Sequence, residues 1–276
     1  MDQNRTTLAR PAHPSPLTAA PTATPATPEL SVVVPTYNER TRIEEFIAAV
    51  FDVFRTHAID GELVIVDDNS PDGTGRLVDA LVPIHAPRLR IVHRAGKLGL
   101  GTAVMEGFLA AGAPVVGVMD ADFSHPPQAL PRLLDVLQRT AVDAVIGSRY
   151  IAGGAVRNWP FSRLLLSRLA CTLAWPLTPV RDATSGFFLI RRQAVEGVII
   201  ESGGFKICLE LLMRSRVQSV AEVPYVFVDR TVGKSKMNLR EALGYFGQLK
   251  KLYALRIRRG RGRRAPDYHR MPPPPA

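Results

Sequence analysis

Short apolar runs alternate with stretches of helical spacing along the first half of the chain. Leu30–Pro35, Glu62–Asp67, Leu89–His93, Val115–Met119 and Asp143–Gly147 are brief and rich in β-branched residues, and they read as buried strands. Between them, Ile43, Phe46, Ile47, Val50 and Phe54 recur as a helical stripe, with Thr41 and Glu44 spaced as a capping box. Further helices are predicted through Leu77–Leu81, over Thr102–Ala111 and after Pro126-Pro127, where proline suits a first turn. Such alternation predicts an α/β fold, a mixed and mostly parallel sheet with helices on both faces. Ligands of such sheets bind beyond the carboxyl ends of the strands. The second half is less regular. One amphipathic segment lies within 157–178, Gly186–Ile190 reads as a strand, Ile207–Arg214 as a helix, Val217–Val228 as strand-like and Leu239–Ile257 as a basic helix.

The flanks differ in composition. Residues 1–29 form a Pro/Ala/Thr-rich leader with six prolines and no apolar segment of signal-peptide type, and residues 258–276 are basic and Pro-rich. Both flanks are expected to be unstructured, which leaves 30–257 as one folded domain. No run of eighteen uncharged apolar residues is present, so no membrane-spanning helix is predicted. Cys171 and Cys208 lack metal-type or redox-type spacing and read as buried reduced thiols, consistent with a cytoplasmic setting. The net charge is +10, and eight Lys/Arg without an acid fall within 250–264. A block of this kind suits an anionic lipid surface or a nucleic acid, or serves only as a solvated tail. No RNA platform or DNA-reading helix accompanies it, so no nucleic-acid partner is expected.

Chemistry-bearing residues gather at predicted strand ends. Asp67-Asp68-Asn69 closes the second strand and Asp120-Ala121-Asp122 the fourth. Two carboxylates two residues apart past a strand suit either a polar turn or a hard divalent cation that neutralises a diphosphate. The Gly96–Gly101 loop precedes a helix whose free amides suit an anion, or is simply a tight turn.

Read in order, Pro35-Thr36-Tyr37-Asn38-Glu39, Val66-Asp67-Asp68-Asn69-Ser70-Pro71-Asp72-Gly73-Thr74, Lys97-Leu98-Gly99-Leu100-Gly101-Thr102-Ala103, Met119-Asp120-Ala121-Asp122-Phe123-Ser124-His125-Pro126, Gly147-Ser148-Arg149-Tyr150, Asp182-Ala183-Thr184-Ser185-Gly186-Phe187, and Val223-Pro224 with Arg230 and Gly233-Lys234-Ser235-Lys236 make up a set. Over residues 30–250 this set resembles the dolichol-phosphate (polyprenyl-phosphate) mannose synthases of the family-2 glycosyltransferases. The resemblance implies a GT-A fold and an inverting transfer of a sugar, mannose from GDP-mannose, onto a polyprenyl phosphate. Another nucleotide sugar, such as UDP-glucose, or another acceptor is the alternative. It further implies that Pro35, Tyr37 and Glu39, with Asp67 or Asp68, Lys97, Asp120 and Ala121, bind the donor nucleotide. Asp120 and Asp122 would carry Mg²⁺ or Mn²⁺. Arg149, Ser185, Arg230, Ser235 and Lys236 would contact phosphate or acceptor, with Asp122, Arg149 and Arg230 closest to the chemistry. The acceptor phosphate is already anionic, so positioning and charge stabilisation are the main requirements. Two departures stand out: Lys234 replaces a usual glutamate, and Ser124 stands where some relatives place a third metal-binding glutamine.

A lipid acceptor requires access to a membrane. In Arg157–Val180, Trp159, Phe161, Leu164, Leu165, Leu166, Leu169, Leu173 and Trp175 interleave with Arg157, Arg163 and Arg168. This pattern fits amphipathic interface helices on an anionic membrane surface, or a helix packed on the core. The implied location is peripheral, on the cytoplasmic face.

Overall fold

A computed structural model describes residues 26–200, 206–229, 239–258 and 266–273. The main sheet has eight strands in the order β10-β8-β5-β7-β4-β1-β2-β3. These are β1 (Leu30–Thr36), β2 (Gly61–Asp67), β3 (Leu89–His93), β4 (Val115–Val118), β5 (Ala144–Ser148), β7 (Phe188–Arg191), β8 (Ser219–Pro224) and β10 (Asp267–Arg270). All neighbours pair in parallel except β7, which lies antiparallel between β4 and β5. A two-stranded ribbon joins β6 (Ala155–Arg157) to β9 (Val226–Val228).

Strand parity sorts the core into two layers. Val33, Val64, Val66, Val118 and Ile146 face one layer, with helices α3 (Leu100–Ala110), α7 (Ile207–Arg214) and α8 (Leu239–Arg258). Val32, Val34, Leu63, Ile65 and Val145 face the other, with α1 (Ile43–Thr56), α2 (Thr74–His85) and α4 (Leu130–Arg139). Burial on both faces is why the central strands read as continuous apolar runs rather than alternating ones. Each fully buried aliphatic side chain contributes roughly 1.5–3 kcal/mol. The other helices are α5 (Phe161–Ala174) and the single turn α6 (Arg192–Val195), with a 3-10 turn at Pro127–Ala129 leading into α4.

Three expectations need correction. No capping box forms at α1. Asn38 turns the chain at φ 61°, and the Glu39 carbonyl then accepts the Arg42 and Ile43 amides at 3.0 Å each, so no side-chain cap is needed. The 258–276 tail is not unstructured throughout, because Asp267–Arg270 extends the sheet beside β8. Trp159 does not face outward. Its ring meets Phe227 edge-on at 5.1 Å and is covered by the Arg163 guanidinium at 4.1 Å.

Candidate active site

The carboxyl ends of β1, β2, β4 and β5 deliver most of the sequence-predicted residues to one edge of the sheet. Past β1, Tyr37 is partly exposed, and the Lys97 ammonium lies 4.5 Å from its ring centre, close enough for a cation–π contact. Pro35 is the penultimate residue of β1. The Glu39 amide donates to Thr74 Oγ1 at 3.0 Å and ties this loop to the start of α2. Asn38 and Asn69 both occupy the left-handed region, at φ 61° and 56°, which asparagine tolerates better than most residues.

The adjacent aspartates past β2 have different tasks. Asp67 is buried and accepts from Thr36 Oγ1 at 3.1 Å, Ser70 Oγ at 2.5 Å and the Ser70 amide at 2.9 Å. Asp68 pairs with the buried Arg94, which also meets Glu106 at 3.1 Å and donates to Thr102 at 2.6 Å. Burial pushes the Asp68 carboxyl up, and Arg94 offsets part of that. Both carboxylates thus brace the loops at the carboxyl end of β2. Arg94, which locks β3 to α3 and the glycine loop, was not singled out from sequence.

Beyond β4 the chain makes a strained turn. Phe123 has φ 61°, an uncommon value for a bulky residue, which costs on the order of 1–3 kcal/mol. Its ring packs edge-on against Phe46 at 5.5 Å. The turn leaves Asp120 and Asp122 partly exposed, with Ala121 buried between them. Asp122 Oδ1 accepts the Ser124 amide at 3.0 Å, and its carbonyl accepts from Arg42 at 3.3 Å. Ser124 is buried.

His125 lies behind the aspartates, buried and stacked on Phe187 at 5.3 Å. Its Nδ1 accepts the Asp120 amide at 3.0 Å and so carries no proton there. The 3.6 Å approach of that nitrogen to Asp120 Oδ2 is therefore not an ion pair. Burial, with a further contribution from Arg149, holds the imidazole below its usual range; the nearby Asp120, Asp122 and Asp182 oppose this. Across from Asp120 is Gly186. A Cβ there would stand 3.1 Å from His125 Cε1 and 3.6 Å from an Asp120 carboxylate oxygen. Absence of a side chain keeps the space beside Asp120 open.

Arg149, just past β5, is buried. Its Nε and Nη2 donate to the two oxygens of Asp182 at 2.7 Å each, and its own amide donates to the same carboxylate at 2.9 Å. Nη2 also reaches Thr184 at 3.2 Å, while Nη1 is outside these bonds. This arginine is one half of a bidentate, desolvated pair. Ser185 is likewise buried, its hydroxyl bonded to the backbone of Phe187. Lys206 precedes α7 and is partly buried. Burial holds its ammonium below the usual lysine range, Arg149 adds to that, and Asp182 and Asp120 oppose it. Arg230, Ser235 and Lys236, with Lys234, lie outside the described residues.

Sequence reasoning missed the roles of Asp182, His125 and Lys206. The first two stand within the quoted motifs, yet their partners are 33 residues away or on another element. Among the described residues no group of three or more His, Cys, Asp or Glu converges as a self-sufficient metal site. The two partly exposed carboxylates, Asp120 and Asp122, are oxygen donors of the kind that would hold a hard divalent cation.

Comparison with known proteins places the chain in a family. The model of the family described as "Glycosyl transferase family 2" matches residues 31–199. A dolichol-phosphate mannosyltransferase of Pyrococcus furiosus is 37% identical over 81% of this chain, which spans 63% of that protein's length. The polyprenol monophosphomannose synthase of Mycolicibacterium smegmatis is 42% identical over 77% of this chain and 83% of its own. The dolichol-phosphate mannosyltransferase of Saccharomyces cerevisiae is 37% identical over 83% and 88%. Among solved structures, the mannosyltransferase PcManGT from Pyrobaculum calidifontis, in complex with GDP-Man and Mn²⁺, superposes with TM-score 0.59 at 21% identity, covering 88% of this chain and 67% of that one. Glucosyl-3-phosphoglycerate synthase of Mycobacterium tuberculosis gives 0.60 at 21%, covering 82% and 78%. The fold is GT-A, as expected. The chain belongs to glycosyl transferase family 2, in the group of the dolichol-phosphate mannosyltransferases and polyprenol monophosphomannose synthases.

Proposed function

We propose that this glycosyltransferase moves mannose from GDP-mannose to a polyprenyl phosphate, with inversion, at an anionic membrane surface. The observation that carries the reading is the placement of two partly exposed carboxylates, Asp120 and Asp122, on the same edge as a buried guanidinium, Arg149, that keeps Nη1 outside its ion pair. His125 lies 3.6 Å from the Asp120 carboxylate and 5.8 Å from the Phe227 ring, over which the Arg149 guanidinium sits at 5.6 Å, so the aspartate turn and the arginine flank one aromatic cluster. Relatives at 37–42% identity carry the names of this activity.

Tyr37 and Lys97 are at the mouth of the donor side, where a planar base and an anionic diphosphate find an aromatic face and an ammonium. Asp67 and Asp68 brace the loops on that side. Asp120 and Asp122 would hold Mg²⁺ or Mn²⁺, which when bound neutralises the diphosphate. Arg149 is fixed by Asp182 and needs little reorganisation to stabilise phosphate charge. Lys206 adds a cation on the same side. His125 stays neutral and supports Asp120 from behind. Arg230, Ser235 and Lys236 complete the phosphate contacts in this reading. The test is transfer by purified protein with GDP-mannose and UDP-glucose against a short polyprenyl phosphate. Product from GDP-mannose alone is expected. Transfer from UDP-glucose only would overturn the donor, and no transfer to any polyprenyl phosphate would overturn the acceptor.

The membrane-facing side is read from α5 and α8. Phe161, Leu165, Leu166 and Leu169 are exposed along α5, as are Leu243, Phe246 and Ile257 on α8. The two helices are tied together where Tyr245 and Tyr253 donate to the Ala170 and Leu173 carbonyls at 2.6 and 2.7 Å. No described helix is long and apolar enough to cross a membrane. An outward apolar strip flanked by Arg157, Arg168, Lys250 and Lys251 fits shallow insertion beside anionic headgroups, on the cytoplasmic face. The protein is expected to float with anionic liposomes. Leu165→Ser with Leu169→Ser should weaken the salt-resistant part of that binding about thirtyfold or more, since the two lost apolar contacts remove roughly 1 kcal/mol or more each. Unchanged flotation of the double variant in high salt would make this strip an ordinary exposed face.

A further inference from the structure

The Pro-rich C-terminal segment is tied into the fold at a functionally placed point. In the parallel register of β10 with β8, Tyr268 is opposite Val220 and Arg270 opposite Glu222. Glu222 is a fully buried acid on a strand otherwise lined by Val220, Ala221 and Val223. Its carboxylate accepts the Arg181 amide at 2.8 Å, the Asp182 amide at 2.9 Å and the Tyr268 hydroxyl. Arg270 Nε in turn donates to the Tyr268 oxygen at 3.2 Å. Asp182, whose backbone is held by Glu222, is the residue that clamps Arg149. An unbroken run of hydrogen bonds therefore leads from the tail through Glu222 and Asp182 to the guanidinium. The segment continues toward the same place. The Met271 amide donates to the Glu222 carbonyl at 2.9 Å, and Pro273 is close enough to Gly153, in the loop after Arg149, that a Cβ on that glycine would be 2.7 Å from it.

We propose that β10 is a strap for the active site and that Tyr268 is a positioning residue for transfer. By donating to Glu222 it fixes the Arg181–Asp182 turn and, through it, Arg149. This rests on the reading of Arg149 given above. A buried carboxylate needs its donors, and losing one lets the turn it holds relax. Displacement of a charge-stabilising group by about 1 Å can cost as much as a hundredfold in rate.

Tyr268→Phe keeps the ring and the strand ladder and removes only the hydroxyl. It is expected to lower kcat about tenfold, with the Kd for GDP within about twofold, because Tyr37 and Lys97 are at the β1–β2 end of the sheet. His269→Ala, exposed on the same strand, is the control and should match the parent. Truncation after Ala265 should reproduce the kcat loss and lower Tm as well. A Tyr268→Phe protein with lower Tm but parental kcat per folded molecule would overturn the strap. Arg149→Lys, assayed in parallel, separates the two levels. If it loses turnover while Tyr268→Phe does not, the strap alone fails. If it keeps full turnover, the reading of Arg149 fails and the strap with it.

Discussion

Asp122→Ala is expected to abolish transfer, by about a thousandfold or more, while the protein remains folded. The carboxylate stands partly exposed beyond β4, and its hydrogen bond from the Ser124 amide at 3.0 Å is a local turn contact. Losing a bond of that type costs about 0.5–1.5 kcal/mol, equivalent to a few degrees in Tm for a chain of this size. The functional loss is far larger. Asp122 is one of two partly exposed carboxylates that follow this strand, and in the proposed reading the cation that offsets the diphosphate charge depends on both. Chelation should likewise remove activity from the parent protein, and Mn²⁺ or Mg²⁺ should restore it. Near-parental transfer by Asp122→Ala would remove this residue from the chemistry, and chelator-resistant activity would remove the cation.

The central sheet was legible because its physics is local. Val32, Val33 and Val34 are all buried, and a strand covered on both faces can only read as an uninterrupted apolar run. Helix α7 runs over Ile207–Arg214, the bounds read from its sequence. Contacts between distant segments were not legible. Asp182 stands in a recognisable motif, but its purpose depends on Arg149, 33 residues earlier, and on Glu222, 40 residues later. β7 runs antiparallel between β4 and β5, a direction that its own apolar residues do not encode. Spacing distinguishes an apolar from a polar face but not core from lipid, so Trp159 and Leu165 looked alike although only Leu165 is exposed. The tail misled for a related reason. Its prolines signal disorder, whereas the strand pairs with β8 and Tyr268 finds its partner in an acid buried there, neither of which the tail's own residues announce.

Arg149→Ala is expected to damage both stability and turnover, whereas sequence alone pointed mainly to turnover. The substitution leaves Asp182, fully buried, without the cation that meets both of its oxygens at 2.7 Å. Breaking a buried pair from one side costs about 3–5 kcal/mol. That is a large share of the roughly 5–15 kcal/mol that holds a domain together, and Tm should fall by on the order of 10 °C. A loss of activity in this variant therefore does not by itself identify a catalytic arginine. The double variant Arg149→Met with Asp182→Leu removes both charges and keeps apolar volume in the same space, among Trp159, Phe227 and Tyr150. Replacing a buried pair in this way is often neutral or stabilising. The double variant is expected to regain most of the lost Tm yet stay inactive in transfer from GDP-mannose, because the guanidinium is still missing where phosphate charge develops. Recovery of both Tm and turnover would show that Arg149 serves the fold alone, and the phosphate contact would then have to come from Lys206 or another cation at this edge of the sheet.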